Sequence, residues 1–329
     1  MSANDKVKIG VIGVGVHGMH HVRLLSRLPE VDFTGIYDAG PDVAASVTSE
    51  FGIPAYDTVN TLLEAVDCVT VAVPTSRHHE IVMQALRAGR HVLVEKPIAS
   101  NTAEADEMVA EAESRNLVLA VGHLERFNPA YRAVMSAIPL KPAFIETHRL
   151  AVFNPRGTDV AVVLDLMIHD IDIVLDMVKM PVVSVNAVGI PVVTDEVDIA
   201  NARLEFEGGC VANLTASRIS QKKMRKIRTF QKKAYISMDC LTGESELFTL
   251  SGDVKPEGFA GALPQVMGGI SYKKFPNDGG NALEIELRDF VTAVAGNGKP
   301  AVTGRDGRQA LDVAMSIMNS MEQSLRRLV

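Results

Sequence analysis

Short apolar runs alternate with amphipathic stretches through the first third of the chain. Residues 6–12 form an apolar run that ends in glycines, and helical spacing follows over 19–28. Further strand-length runs lie at 33–37, 68–73, 91–94 and 118–121, with helical patterns near 43–51, 79–88 and 103–115. Strands alternating with helices of this length predict βαβ units and a parallel sheet. The runs are nearly all apolar, as strands covered by helices on both faces are.

The texture changes after Gly122. Residues 143–152, 182–193, 199–217 and 234–250 read as longer β segments. Several alternate polar and apolar residues, as in Asn201-Ala-Arg-Leu-Glu-Phe-Glu ahead of a Gly208-Gly209 turn. Alternation predicts antiparallel pairing with one face covered. Helices are expected at 160–178, 282–295 and 308–328. The fold class is thus α/β: a doubly wound parallel sheet over residues 1–122, then an α+β domain over residues 123–329. A length of 329 residues suits two cores better than one.

Composition narrows the function classes. The chain is 47% hydrophobic and 22% charged with no biased tract, as in soluble globular proteins. A net charge of -7 and a pI near 5.7 argue against nucleic acid or an anionic membrane as partner. Cys68, Cys210 and Cys240 lie far apart, which suits buried thiols in a reducing compartment rather than a disulfide framework or a zinc site. No apolar run has the length of a membrane span and the first eight residues are polar, so a cytoplasmic location is expected.

Gly13-Val-Gly15-Val16-His17-Gly18 follows a predicted strand and opens a predicted helix. In that context the first glycine allows a tight turn, the second lets backbone approach a pyrophosphate, and the third lets helix pack on strand. The helix terminus then presents free N–H groups to phosphate. Asp38 stands 20 positions past Gly18, at the end of the second strand. Its carboxylate suits the ribose hydroxyls of NAD and repels a 2′-phosphate, although an aspartate before Pro41 is also an ordinary turn former.

The chain resembles the glucose–fructose oxidoreductase, inositol dehydrogenase and rhizopine-catabolism family. The resemblance rests on Gly13-x-Gly15-x-x-Gly18-x-x-His21, Pro74-Thr75-x-x-His78, Gly89-Arg-His-Val-Leu-Val-Glu95-Lys96-Pro97 and Asp165-x-x-x-His169-Asp170-x-Asp172. It implies a Rossmann domain, a second domain with a large open-faced sheet, and dimers or tetramers assembled through that sheet. For the cofactor it implies NAD held by Gly13, Gly15, Val16, His17, Gly18, Asp38, Pro74, Thr75, His78, Glu95 and Lys96. The segment 121–129 and the ending Asp306-Gly307-Arg-Gln-Ala-Leu look most like nucleotide-sugar dehydrogenases within the family. The expected substrate is therefore a sugar or nucleotide sugar, oxidised at C3 of a UDP-N-acetylhexosamine. Expected substrate ligands are Lys96, Arg126, Asn128, Arg149, Asp165 and His169.

Lys96 follows a strand and precedes a proline, which places it outside the carboxyl end of a parallel sheet. The resemblance gives it a hydrogen bond to the reacting hydroxyl; the plain alternative is a surface lysine in a βα loop. Asp165 and His169 are four apart in a nearly apolar helix and share a face. A carboxylate beside an imidazole fixes its tautomer and stabilises its protonated form, so His169 reads as general base and Asp165 as orienting partner or substrate ligand. A lone helix histidine is otherwise more often structural. Asp170 points elsewhere, and Asp172 is expected to support His169. His78 is expected to line the cofactor cleft or cap its helix. Adjacent His20-His21 and His78-His79 share no helical face, and no metal site is expected.

The segment 217–233 carries Arg218, Lys222, Lys223, Arg225, Lys226, Arg228, Lys232 and Lys233. It reads as a solvated turn and a lysine-protected edge strand, as a subunit contact, or as an attractor for a substrate diphosphate together with Arg126, Arg149 and Arg156. Three functions compete: a nucleotide-sugar dehydrogenase, a polyol or monosaccharide dehydrogenase, and a dinucleotide-binding regulator without turnover.

Overall fold

The computed structural model of the chain describes residues 6–154, 160–250 and 269–326. It divides into two compact units, Met1–Leu124 with Asn281–Asp312, and Glu125–Gly280 with Val313–Val329. The first break falls close to the expected boundary, but the return of residues 281–312 to the first unit corrects the expectation of two continuous domains. The reason is apolar burial. Leu287, Phe290 and Val291 of α8 (Ala282–Val294) complete the cluster that holds Ile9, Val22 and Leu25. Phe290 is 1% exposed, and truncating a ring so enclosed costs about 3–5 kcal/mol.

In the first unit, β1 (Val7–Ile12), β2 (Val31–Tyr37), β3 (Cys68–Val71), β4 (His91–Glu95) and β5 (Leu119–Gly122) form one parallel sheet in the order β2-β1-β3-β4-β5. Every residue of β3 and β5 is buried, which is why these runs lack alternation. Helices α1 (Val16–Leu25), α2 (Pro41–Phe51), α3 (Val59–Ala65), α4 (His78–Arg87) and α5 (Thr102–Ser114) connect the strands. Their starts are chemically marked. Thr58 and Thr61 form a capping box on α3, and Asn101 accepts from the Glu104 amide at α5. The winding reverses between β1 and β3, and an open sheet binds ligands at the carboxyl ends beside such a switch.

The second unit carries an eight-stranded sheet in the order β13-β12-β11-β10-β6-β9-β8-β7. The strands are β6 (Phe144–Leu150), β7 (Val182–Ile190), β8 (Ile199–Phe206), β9 (Val211–Ser217), β10 (Met224–Gln231), β11 (Ala234–Asp239), β12 (Glu244–Leu250) and β13 (Ile270–Phe275). All neighbours run antiparallel except β6 and β9. Gly208 and Gly209 both hold positive φ, of 87° and 88°, in the tight turn between β8 and β9. One sheet face is covered by α6 (Pro129–Ala137) and α7 (Ile168–Val178). The other carries a row of rings. Phe144, Phe230, Tyr235, Phe248 and Tyr272 are successive register partners across five strands, with centroids 4.8 to 5.7 Å apart.

Two expectations need correction. The basic segment is not an edge: β10 lies between β11 and β6. Its cations are tolerated there because acids on neighbouring elements take them up, Arg228 with Glu146 at 3.0 Å, Lys226 with Asp239 at 3.7 Å and Arg225 with Glu125 at 3.5 Å. The true edge next to β8 is β7. There α9 (Gly304–Leu325) occupies the outward backbone groups, Ser320 accepting from the Ala187 amide and Ser324 donating to its carbonyl, both at 2.9 Å. The helix expected over 160–178 is also not uniform, for Val163–Met167 is a π-helical turn that precedes α7.

Candidate active site

The phosphate cradle has the geometry its glycines predict. Gly13 sits at φ +86°, and a Cβ there would meet the Ala72 carbonyl at 2.9 Å. A Cβ on Gly18 would lie 1.9 Å from the Gly13 carbonyl oxygen, so only glycine lets α1 pack so closely on the turn. Gly15 is different, because a Cβ there meets nothing within 4 Å. The space over Gly15 is open on the protein side, as a site for close ligand approach must be. α1 starts just beyond with no side-chain cap, which leaves the amides of Val16, His17 and Gly18 directed outward from its terminus.

Asp38 accepts hydrogen bonds from the Val14 amide through Oδ2 and the Gly40 amide through Oδ1, each at 2.8 Å. These contacts fix the carboxylate on the rim of a cleft of about 570 Å³ lined by Gly13, Gly15, Asp38, Thr58, Pro74 and Arg77 among others. Open glycine, uncapped helix and fixed carboxylate suit a dinucleotide with free ribose hydroxyls. Thr75 starts the 3₁₀ turn Thr75–Arg77 after Pro74.

At the end of β4, Glu95 is tied to the first helix. Its Oε1 lies 3.0 Å from Nε2 of His21, which is buried in α1. Burial pushes the Glu95 carboxyl up, but the hydrogen bond from His21 and the charges of His21, His17 and Lys96 outweigh it and hold the carboxyl below the usual range. His78 lines no cleft. It is 1% exposed and points both ring nitrogens at backbone carbonyls, those of Pro97 and Val73. Lys96 lies between these two anchored positions, and its bond to Pro97 is cis. His21 was visible in the sequence only as the last position of the glycine motif.

In the second unit, Asp165 falls within the π-helical turn and His169 follows at the start of α7. Both stay partly exposed, whereas Asp170 and Asp172 are buried. Widened helical turns of this kind are frequent at functional sites. Asp172 is engaged by an arginine. It takes a two-pronged pair from Arg126, Nε at 2.6 Å and Nη2 at 2.9 Å, while Arg126 Nη1 reaches Asp176 at 2.8 Å. Tyr131 also donates to Asp176. Arg149 donates to Asp170 through Nε at 3.0 Å and Nη2 at 2.7 Å, and to Glu125 through Nη1 at 2.8 Å. Asn128 caps α6 by accepting from the Ala130 amide, and donates to Glu125 and the Cys240 carbonyl, both at 2.9 Å.

Arg126, Asn128 and Arg149 therefore spend their donors inside the second unit, as struts do. Burial opposes the charge on both arginines, yet the carboxylates around them hold each guanidinium above its ordinary value. Burial outweighs Arg149 at Asp170 and raises that carboxyl. Of the expected diphosphate cations, Arg156 lies outside the described residues. Lys222 and Lys223 remain exposed beyond β9, while Arg225, Lys226 and Arg228 are paired as described. Three aspartates in one apolar helix, Asp170, Asp172 and Asp176, could have signalled this network, since burying them requires countercharges.

Comparisons with known proteins identify the family. Residues 7–123 match the oxidoreductase family with an NAD-binding Rossmann fold, and residues 146–237 match the GFO/IDH/MocA C-terminal domain. The chain is 35% identical to UDP-N-acetylglucosamine 3-dehydrogenase of Acidithiobacillus ferrooxidans, over 98% of this chain and 99% of that one. It is 27% identical to myo-inositol 2-dehydrogenase of Thermotoga maritima, over 96% of this chain and 97% of that one. A solved structure of UDP-N-acetylglucosamine 3-dehydrogenase from Acidithiobacillus ferrooxidans superposes with a TM-score of 0.88 at 33% identity, covering 97% of this chain and 99% of that one.

Proposed function

The chain belongs to the GFO/IDH/MocA oxidoreductase family and carries its NAD-binding Rossmann fold; from that membership we propose that it oxidises C3 of a UDP-N-acetylhexosamine. The observation that carries the proposal is identity of 35% with UDP-N-acetylglucosamine 3-dehydrogenase over 98% of the chain. The presence of Lys96, Asp165 and His169 supports it, because a binding protein without turnover has no use for a lysine, a carboxylate and an imidazole of this kind.

When bound, NAD supplies the hydride acceptor. Lys96 donates a hydrogen bond to the substrate oxygen and stabilises its developing negative charge. His169 takes the hydroxyl proton, and Asp165 orients the imidazole and favours its protonated form. The first-turn amides of α1 hold the pyrophosphate, and Asp38 accepts from the ribose hydroxyls. The ring row on the second-unit sheet supports assembly into a homodimer or homotetramer through that face, since large, partly exposed rings in a continuous row favour a partner. Light scattering of Phe230→Glu against the unaltered protein tests it, with loss of the oligomer expected.

Mass spectrometry tests the substrate. UDP-N-acetylglucosamine incubated with the protein, NAD and a coupled aminotransferase should lose two hydrogens before amination. If that assay stays silent while free myo-inositol is oxidised, the polyol reading supported by the 27% identical relative replaces this one.

A further inference from the structure

The cleft of about 570 Å³ beside the phosphate cradle extends beyond Asp38. Its section at Gly13 and Gly15 suits the pyrophosphate, and its section at Asp38 suits a ribose. The remaining section lies between the first turn of α3 and the first two turns of α4. There Val59 and Ile81 line it with apolar surface, and Asn60 and Gln84 supply polar groups. An adenosine whose ribose meets Asp38 still has its base to place, and this section is the space the cleft offers it.

Gln84 Nε2 donates to Asn60 Oδ1 at 2.6 Å, a contact between two helices and across 24 positions of sequence. Each side-chain amide has one carbonyl oxygen and one NH₂ group. When one amide donates to the other, the pair keeps a free carbonyl on one residue and a free NH₂ on the other. That holds whichever way round the two amides are turned, so it depends on no choice between oxygen and nitrogen. The pair is within reach of a ligand, for Asn60 is exposed and Gln84 half-buried. Adenine has the matching edge. Its exocyclic amine donates, and the ring nitrogen beside it accepts, which is the set that asparagine and glutamine read on adenine in nucleic acids. Of the other polar side chains here, Thr58 caps α3 and Arg77 pairs with Glu80 at 2.8 Å.

We propose that the Asn60–Gln84 pair reads the adenine of NAD, its carbonyl accepting from the exocyclic amine and its NH₂ donating to the neighbouring ring nitrogen. The base contact rests on dinucleotide binding by the first unit and not on the identity of the sugar.

Calorimetric titration without sugar tests it, using NAD and nicotinamide 1,N6-ethenoadenine dinucleotide. The etheno bridge removes both hydrogens of the amine and blocks N1, and it leaves the riboses and the pyrophosphate unchanged. The unaltered protein should bind NAD about tenfold more tightly than the bridged analogue, the scale of one net hydrogen bond. Gln84→Met and Asn60→Leu keep side-chain bulk and break the amide pair. Each should weaken NAD and leave the Kd of the analogue near its unaltered value, so that the ratio falls toward one. Equal affinities in the unaltered protein overturn the base contact. A ratio that both variants retain also overturns it, since the bridge then meets some other wall of the cleft. Failure of both dinucleotides to bind overturns the cofactor reading and the base contact together. A ratio that behaves as expected beside a silent sugar-oxidation assay refutes the substrate reading and upholds the base contact.

Discussion

Replacing Arg149 with methionine separates a strut from a substrate ligand. Arg149, Asp170 and Glu125 are 3%, 2% and 6% exposed, and the guanidinium serves both carboxylates. In Arg149→Met, Glu125 keeps Asn128 and the more distant Arg225, but Asp170 is left without its countercharge. Removing one member of a buried pair costs about 3–5 kcal/mol. Against a total stability of about 5–15 kcal/mol this is a large fraction. At roughly 2–4 °C per kcal/mol it lowers Tm by about 6–20 °C. The loss depends on pH with a definite sign. Burial already raises Asp170 above its ordinary value, and loss of Arg149 raises it further. A carboxyl whose folded pKa exceeds its unfolded one penalises the fold above that pKa, and the penalty fades as pH falls through it. Urea denaturation followed by circular dichroism should therefore show a wide gap between variant and parent at pH 8 and a narrower one at pH 5. Arg149→Met combined with Asp170→Leu should recover much of the loss, because a packed apolar pair replaces a buried ionic one at little cost. A variant within about 0.5 kcal/mol of the parent at pH 8, the range of an ordinary surface change, but with a raised KM for nucleotide sugar, would show that Arg149 binds substrate instead.

Other expectations are as direct. Lys96→Ala and His169→Ala should each lower turnover on the order of 10²-fold with NADH binding retained, and near-normal turnover in folded His169→Ala would remove it as the base. Gly15→Ala should fold yet bind NADH more weakly, whereas Gly18→Ala should fail to fold, since its Cβ would lie 1.9 Å from a carbonyl oxygen; calorimetry of both variants checks the contrast. Fluorescence titration should give tighter binding of NADH than of NADPH, because Asp38 is fixed by two amides where a 2′-phosphate would sit, and the reverse order refutes that role. Cys68, Cys210 and Cys240 are buried with their thiols pushed up by burial, so iodoacetamide at neutral pH should modify none of them in the native protein.

The first unit was legible because its signals are local. Apolar runs such as 68–71, the glycine spacing and Asp38 each carry their meaning within a few residues. The charge network was not, because the pairing of Arg126 with Asp172 and of Arg149 with Asp170 joins distant segments. A buried arginine looks the same in sequence as a phosphate-binding one. The placement of β10 is hidden for a related reason: Lys226 and Arg228 suggest solvent, and only the acids opposite them on β11 and β6 make an interior strand acceptable. Glu95 and His78 lie in motifs that were recognised, but motif membership does not say which partner a side chain chooses.

The return of residues 281–312 to the first unit has a consequence for the order of events on the ribosome. Phe290 and Leu287 are core residues of that unit, yet they are made long after its last strand. Residues 125–280 take roughly 8–30 s to synthesise at about 5–20 residues per second. For that interval the emerging five-stranded sheet lacks the helix that seals its core, and Ile9, Val22 and Leu25 stay incompletely covered. A nascent chain halted anywhere in that window presents an apolar groove shaped for α8, so chaperone occupancy should peak there and fall once residue 294 leaves the exit tunnel.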